Sequence, residues 1–194
     1  EERIDRMNAE GERLTVVSYN VGRFALQDQA AGIDSRAECV DSVFSFLKAQ
    51  DADIICLQEF RVPDADKLKS YVNRHMKGYN AEYYMFPTRS GAFGNVTLSR
   101  LPVKGKGKIK FDESANLAIY SDYEYAGEKF RVYNCHFESY NVSVSGLMRG
   151  LVQRDSVLIS TTGDKMKRSI TRRPKQVDMV FEHIEKCPLE TFVC

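Results

Sequence analysis

The sequence has no tryptophan, almost no net charge and no long apolar run. Its 194 residues include 28 basic and 27 acidic side chains, which leaves a net charge of +1 at pH 7. A protein that coats nucleic acid carries a strong positive field, so this balance argues against that class, although a local basic patch would still bind phosphate. No stretch reaches the roughly 18 apolar residues of a membrane span, and no signal-peptide pattern opens the chain.

Cysteine is present but is not arranged for metal or redox chemistry. The five cysteines are scattered along the chain, and no two have the spacing of a zinc knuckle or of a redox motif. We therefore expect no disulfide framework. Three of them (Cys39, Cys56 and Cys135) fall in apolar helix or strand patterns, which predicts that they are buried as small hydrophobic side chains.

The composition is that of one globular domain. Hydrophobic residues make up 43% of the chain and charged residues 28%, and this length is sufficient for a substantial core. Residues 1–12 are charged and have no periodicity, which indicates a flexible lead-in. The domain is predicted to span residues 13–194.

Two short apolar runs end in polar side chains that can bind a metal ion or a phosphate. Residues 14–20 end in the amide of Asn20, and residues 53–59 end in the carboxylate of Glu59. Their length and composition predict strands, and the end of a strand lies at the rim of a sheet, where a substrate has access. The two runs indicate a candidate active site.

The segments between and after these runs predict helices and then further strands. Ser35 and Glu38 have capping-box spacing and begin a predicted helix, and a second helix is predicted over 65–76. The chain then alternates as in an antiparallel meander. The predicted strands of this meander are 82–86, 96–99, 107–111, 117–125 and 130–136.

The last part of the chain predicts a long connection and a helix. Residues 140–172 are rich in Ser, Thr, Gly and basic side chains, and we expect a connection that contains a short helix near 150–159. Pro174 suits a first helical turn, so the next helix is predicted to begin there. Residues 190–194 form a short apolar run of strand type.

Two further runs complete a pattern. Residues 130–139 contain a strand ending in His136, and residues 94–102 read Gly-Asn-Val-Thr-Leu-Ser-Arg-Leu-Pro. With these four runs in this order, the chain resembles the endonuclease/exonuclease/phosphatase superfamily, the DNase I-like metal-dependent phosphoesterases. The resemblance covers roughly residues 13–194. It implies an α/β fold, a four-layer sandwich in which helices flank two stacked mixed β-sheets.

The resemblance ends before the last motifs of the superfamily. Its members continue with a strand that ends in Gly-Asp-x-Asn and with a Ser-Asp-His segment, and this sequence has neither. We therefore expect a catalytic domain that is incomplete at its C-terminus, inactive by itself and prone to self-association. Some bacterial members carry membrane helices ahead of this domain, so the resemblance allows a membrane-anchored protein.

The candidate catalytic residues are Asn20, Glu59 and His136. Glu59 offers a hard oxygen suited to Mg²⁺, with Mn²⁺ as an alternative, and Asn20 offers an amide that orients the metal ion or the phosphate. Glu59 and Asn20 are therefore the predicted metal ligands. The resemblance implies that His136 contacts the scissile phosphate.

The resemblance also implies two substrate-binding residues, Asn95 and Arg173. Arg173 belongs to a run with six cations between 165 and 175. That run is either a phosphate-binding segment or a solvated face, and the sequence leaves both open.

The predicted function is hydrolysis of a phosphodiester or a phosphomonoester by metal-assisted attack of water. The substrate stays open among nucleic acid, a phospholipid head group and a small phosphate ester, because substrate choice in a shared fold depends on its loops. The alternatives are a catalytically inactive fragment, a binding or scaffold module with the same fold, and a purely structural α/β domain.

Overall fold

The computed structural model describes residues 13–25, 35–112, 114, 116–139 and 144–194. The predicted lead-in 1–12 lies outside these residues, as does the start of the predicted connection 140–172. The chain forms two compact units. The first contains the chain up to Lys108 together with Leu117–His136 and Pro188–Cys194, and the second contains Ile109–Asn116 and Phe137–Cys187.

The first sheet contains the two strands that carry Asn20 and Glu59. Its strand order is β1-β2-β4-β3, where β1 is Val16–Asn20, β2 is Ile54–Val62, β3 is Asn80–Thr88 and β4 is Gly91–Ser99. β1 and β2 are parallel, whereas β4 runs antiparallel to both β2 and β3. The sheet is therefore mixed.

The second sheet carries His136 just beyond its third strand. Its order is β5-β6-β7-β8, where β5 is Gly105–Lys110, β6 is Leu117–Tyr125, β7 is Glu128–Cys135 and β8 is Glu190–Val193. β6 and β7 form an antiparallel hairpin around Gly127, and β8 is parallel to β7. Two mixed sheets in an α/β protein confirm the predicted fold class.

The meander predicted over 80–135 was wrong in one respect, because its strands are divided between the two sheets. β3 and β4 belong to the first sheet, and β5 to β7 belong to the second. Pro102 lies between them and cannot donate a ladder hydrogen bond, so the chain leaves the first sheet there.

β2 is buried on both faces and is longer than the sequence predicted. Ile55 and Leu57 pack into the core beneath the helices, whereas Ile54 and Cys56 pack against the second sheet. The strand was expected to end at Glu59, but it continues to Val62. Glu59 therefore lies within the strand and not at its tip.

Two helices cover the first sheet as predicted. α1 (Arg36–Ala49) begins with the expected capping box, in which Ser35 accepts from the backbone of Glu38 and the Glu38 side chain accepts from the backbone of Ser35. α2 (Leu68–His75) follows a short turn at Ala65–Lys67. Apolar side chains of both helices join the core of the first sheet.

The second unit is more helical than the sequence predicted. α3 is Val144–Gln153, and α4 runs as one helix over Ser156–Glu185. The expectation of a connection with a short helix, followed by a helix that begins at Pro174, was therefore wrong. Pro174 lies inside α4, where it cannot donate a helical hydrogen bond, and the buried residues Gln176 and Val180 follow it in the same helix. Across the described residues, no helix combines the length and apolarity needed to cross a membrane.

The three cysteines expected in the core are buried. Cys39, Cys56 and Cys135 are all nearly inaccessible to solvent. Burial raises the pKa of the Cys135 thiol to about 12, so this thiol stays protonated and packs as an apolar group.

Candidate active site

Glu59 lies at an irregularity in β2. Leu57 pairs with Val96 and Phe60 pairs with Gly94, so two residues of β2 oppose the single residue Asn95 of β4. This is a β-bulge, which changes the direction of the side chains that follow. Glu59 adopts a positive φ of 52°, a left-handed conformation that costs a non-glycine residue about 1–3 kcal/mol. Strain of this kind persists only where the surrounding structure enforces it.

Three other side chains surround the Glu59 carboxylate. Asn20 Nδ2 donates to Glu59 Oε1 at 3.3 Å, and His136 Nε2 lies 3.5 Å from the same oxygen. Arg23 Nε lies 3.3 Å from Oε2. We call these four residues the Glu59 cluster. The structure thus brings together Asn20, Glu59 and His136, the three residues that the sequence proposed as catalytic.

The Glu59 cluster is partly open to solvent. The side chains of Glu59 and His136 are 25% and 17% exposed, and that of Arg23 is 56% exposed. The Glu59 carboxylate therefore keeps part of its hydration in addition to its contacts with Asn20, Arg23 and His136. The cluster can therefore exchange these contacts for a ligand.

A tight turn after β1 positions Asn20 and Arg23. Asn20 Oδ1 accepts from the backbone N–H of Gly22 at 2.9 Å, and Gly22, Arg23 and Phe24 all have positive φ values. Phe24 is 1% exposed and its ring packs against Phe60, which anchors the turn to the core. Sequence reasoning missed Arg23. The Asn-x-Gly pattern after a strand was the available signal for this turn.

A buried amide holds the bulge from the other sheet. Asn134 in β7 is fully buried, and its Nδ2 donates to the carbonyls of Leu57 at 3.2 Å and Val96 at 3.0 Å. Its Oδ1 accepts from Gln58 Nε2 at 2.8 Å. Because Leu57 and Val96 are the pair beside the bulge, Asn134 ties the distorted segment of β2 to the second sheet. Sequence reasoning missed Asn134 as well, although it lies only two residues before His136 in the sequence.

Asn95 completes this buried network. It is 2% exposed, and its Nδ2 donates to the carbonyls of Leu117 at 3.1 Å and Asn134 at 3.0 Å. We call Gln58, Asn95 and Asn134 the amide network. These bonds give Asn95 a structural task between the sheets, and its predicted contact with substrate stays a prediction.

The β6–β7 strand pair positions His136. Its backbone N–H donates to the carbonyl of Leu117 at 3.0 Å, which extends the β6–β7 ladder one residue beyond the end of β7. Arg173, the other predicted substrate contact, lies half-buried in α4 of the second unit. Its role in binding substrate also stays a prediction.

The donor atoms of the Glu59 cluster suit a hydrated divalent ion. Glu59 offers carboxylate oxygens, and Asn20 offers an amide oxygen that now accepts from Gly22. Mg²⁺ typically takes only one or two protein carboxylates and keeps several waters, so the two residues fit part of such a site. Within the described ranges, no group of three or more His, Cys, Asp or Glu side chains is arranged to hold a metal ion.

Comparisons with solved structures support the fold. Humanized D. rerio TDP2 with 14 mutations is 18% identical, with a TM-score of 0.56 over 93% of this chain and 63% of that chain. D. rerio TDP2 complexed with single strand DNA product is 17% identical, with a TM-score of 0.58 over 93% of this chain and 58% of that chain. This chain therefore spans less than two thirds of each. At these identities the likeness concerns the fold alone.

The sequence itself matches one family. No curated protein matches the chain. The profile of the Endonuclease/Exonuclease/phosphatase family matches residues 17–174, which include the whole Glu59 cluster. Members of this family are hydrolases that act on phosphate esters and are generally dependent on a divalent metal ion. Because the match covers most of its length, the chain belongs to the Endonuclease/Exonuclease/phosphatase family.

Proposed function

We propose that the Glu59 cluster is the active site of a metal-dependent phosphoesterase that hydrolyses a phosphodiester or a phosphomonoester. The observation that carries this proposal is the convergence of Asn20, Glu59 and His136, which come from three strands and two sheets, around one carboxylate. A buried network and a strained backbone hold that carboxylate in place, as preorganised catalytic groups require.

Glu59 and Asn20 are the proposed ligands of Mg²⁺ or Mn²⁺. When bound, such an ion neutralises charge on the phosphoryl oxygens of the substrate. Glu59 supplies the negative charge that attracts the ion, and Asn20 orients the carboxylate through its hydrogen bond to Oε1. Arg23 competes for the same carboxylate through Oε2, so its side chain has to release Glu59 or share it.

His136 and Arg23 are the proposed phosphate contacts. Protonated His136 donates from its imidazole to a phosphoryl oxygen and stabilises the charge that develops in the transition state. Arg23 is more exposed and carries a planar guanidinium, whose N–H groups match the oxygens of a phosphate. Asn95 and Arg173 remain proposed substrate contacts.

The substrate class stays open among nucleic acid, a phospholipid head group and a small phosphate ester. One solved D. rerio TDP2 structure contains a single-strand DNA product, so a DNA phosphodiester is the first natural substrate to test.

The test compares Glu59→Gln with a matched control, Glu82→Gln. Glu82 has a similarly exposed side chain, 22% against 25%, and pairs with Lys106 away from the Glu59 cluster. The comparison is made in a form of the protein that hydrolyses bis-nitrophenyl phosphate or nitrophenyl phosphate with Mg²⁺ or Mn²⁺ present, and there we expect Glu59→Gln to lower kcat/KM by about 10³-fold. Glu82→Gln should stay within about twofold of the parent protein. Equal turnover by both variants would overturn the proposal.

A second measurement does not depend on turnover. Titration of the protein with Mn²⁺, followed by electron paramagnetic resonance, should show weak binding, because Glu59 supplies a single carboxylate charge. The Glu59→Gln variant should lose this binding, and Glu82→Gln should keep it. Binding of Mn²⁺ that is indifferent to Glu59 would contradict the assigned ligand, and phosphate binding without hydrolysis would favour a binding module.

A further inference from the structure

The helices of the second unit carry an uneven distribution of charge. Residues 144–175 contain eight basic and two acidic side chains, whereas residues 176–187 contain three acidic side chains and one lysine. The chain as a whole is nearly neutral, so this basic stretch is a local feature. It covers α3 and the first two thirds of α4.

The same stretch exposes aliphatic side chains where the two helices meet. Val152 is 79% exposed, Val157 is 70% exposed, and Met148 and Leu151 are each 55% exposed. Met148, Leu151 and Val152 recur at helical spacing and so share one face of α3. Contiguous exposed apolar side chains of this kind mark an interaction surface.

The exposed aliphatic residues of α4 are not simply part of its packing face. Ser169, Gln176 and Val180 are buried and define that face by their helical spacing. Met166 and Ile170 lie one turn apart on its flank, with 39% and 48% exposure. Nine residues separate Met166 from Val157, which places the two on opposite sides of α4, so this flank is separate from the apolar surface where α3 and α4 meet.

Basic side chains lie near these aliphatic residues, together with threonine hydroxyl groups that are hydrogen-bonded within their own helix. Arg149 and Arg154 are exposed beside the α3–α4 junction. Lys165, Lys167 and Arg168 are exposed around Met166. The Thr161 and Thr171 hydroxyl groups donate to carbonyls of their own helix at 2.8 and 2.9 Å, so neither hydroxyl needs an external partner.

We propose that this surface binds an anionic phospholipid bilayer peripherally. We call it the α3–α4 corner, and its core is Met148, Leu151, Val152 and Val157. In such binding, aliphatic side chains enter the boundary between head groups and acyl chains while basic side chains contact anionic head groups. Both halves of this requirement are present within one short stretch of chain.

Charge and chemistry favour a lipid surface over the other occupants. Nucleic acid would be attracted to the basic residues, but its phosphates give no reason to expose four aliphatic side chains. A second copy would bring two positively charged surfaces together, which is unfavourable. An anionic bilayer satisfies the charge and also buries the apolar side chains. The proposal is independent of the proposed catalytic function.

The first experiment measures co-sedimentation with vesicles of phosphatidylcholine, with and without about 30% phosphatidylglycerol. We expect binding to the anionic vesicles to be at least about tenfold stronger, and to weaken between about 50 and 500 mM NaCl. Leu151→Asp should reduce it by about tenfold or more. Phe181→Asp is the matched control, because Phe181 is 54% exposed, close to the 55% of Leu151, but lies in the acidic last third of α4. That control should change binding by less than about twofold.

A second pair of variants uses the absence of tryptophan from the chain. Val152→Trp introduces a single indole at the corner, and its fluorescence should shift to shorter wavelength when anionic vesicles are added. Phe181→Trp should show no shift. This measurement keeps the proposal testable if Leu151→Asp fails to fold. Glu59→Gln should bind vesicles like the parent protein, which separates this proposal from the catalytic one.

Three results would overturn the proposal. Equal binding to neutral and anionic vesicles would remove the role of charge. Tighter binding to duplex DNA than to vesicles at the same salt, unaffected by Leu151→Asp, would make the stretch a nucleic-acid surface. Concentration-dependent dimerisation that Leu151→Asp abolishes, without vesicle binding, would make it an interface between copies of the chain.

Discussion

The amide network and the Glu59 cluster occupy the same strands but are built from different chemistry. Gln58 and Glu59 are neighbours in β2, yet Gln58 is 6% exposed and its side chain bonds to Asn134, whereas Glu59 faces solvent and two basic groups. On the second sheet, Asn134 is buried and His136 is partly exposed. Neutral amides cross-link the sheets inside, and groups that can change charge are kept near water.

This contrast follows from the cost of burial. An amide can be buried when its donors and acceptor are all bonded, whereas an ionised carboxylate or imidazolium is costly to bury. Successive side chains of a strand point to opposite faces, so β2 directs Gln58 inwards and Glu59 towards solvent, and the bulge falls at this pair. The left-handed φ of Glu59 is the conformational cost of that arrangement.

The largest effect is expected in the amide network. Asn134→Leu removes a donor from two buried carbonyls and one of the three acceptors of the Gln58 amide, so the free energy of unfolding should fall by about 3 kcal/mol. Urea denaturation measures this change. Asn73→Leu, at an exposed position of α2, is the control and should stay within about 0.5 kcal/mol. Equal stability of the two variants would remove the structural role of Asn134.

A slightly smaller effect is expected in the Glu59 cluster, where a substitution should change the rate of catalysis. In a form of the protein that hydrolyses the test substrate, His136→Ala should lower kcat by about 10²-fold with little change in KM, because the proposed contact forms in the transition state. His75→Ala is the matched control. The His75 ring stacks on Phe44 at 4.5 Å, so its loss should reduce stability and leave kcat unchanged. An unchanged kcat in His136→Ala would assign His136 to the scaffold.

The sequence predicted much of this site, and the reasons are local. Asn20 and His136 were found because each follows an apolar run of strand length, and α1 was found because Ser35 and Glu38 form a capping box. The resemblance to a known superfamily then supplied the proposed roles. These features depend on short-range pattern, which a single sequence displays.

The features that sequence reasoning missed depend on contacts between distant segments. The bulge at Glu59 arises from pairing with β4 and from bonds to Asn134, which is 75 positions away from Glu59 along the chain. The full length of α4 was missed because Pro174 indicates a helix start, whereas the surrounding residues continue the helix through it. Arg23 was missed because its position depends on a left-handed turn.

The central claim is that Glu59 is held in a strained conformation for chemistry and not for stability. The smallest expected change in the free energy of unfolding tests this claim most directly. Glu59→Gly removes the carboxylate and permits the positive φ, so the free energy of unfolding should rise by about 1 kcal/mol. In a form of the protein that hydrolyses a nitrophenyl phosphodiester, the same substitution should lower that hydrolysis to background. Both quantities are to be measured on one preparation, by urea denaturation and by absorbance. Higher stability with lost activity is the predicted result, and a less stable protein that keeps its activity would contradict the account.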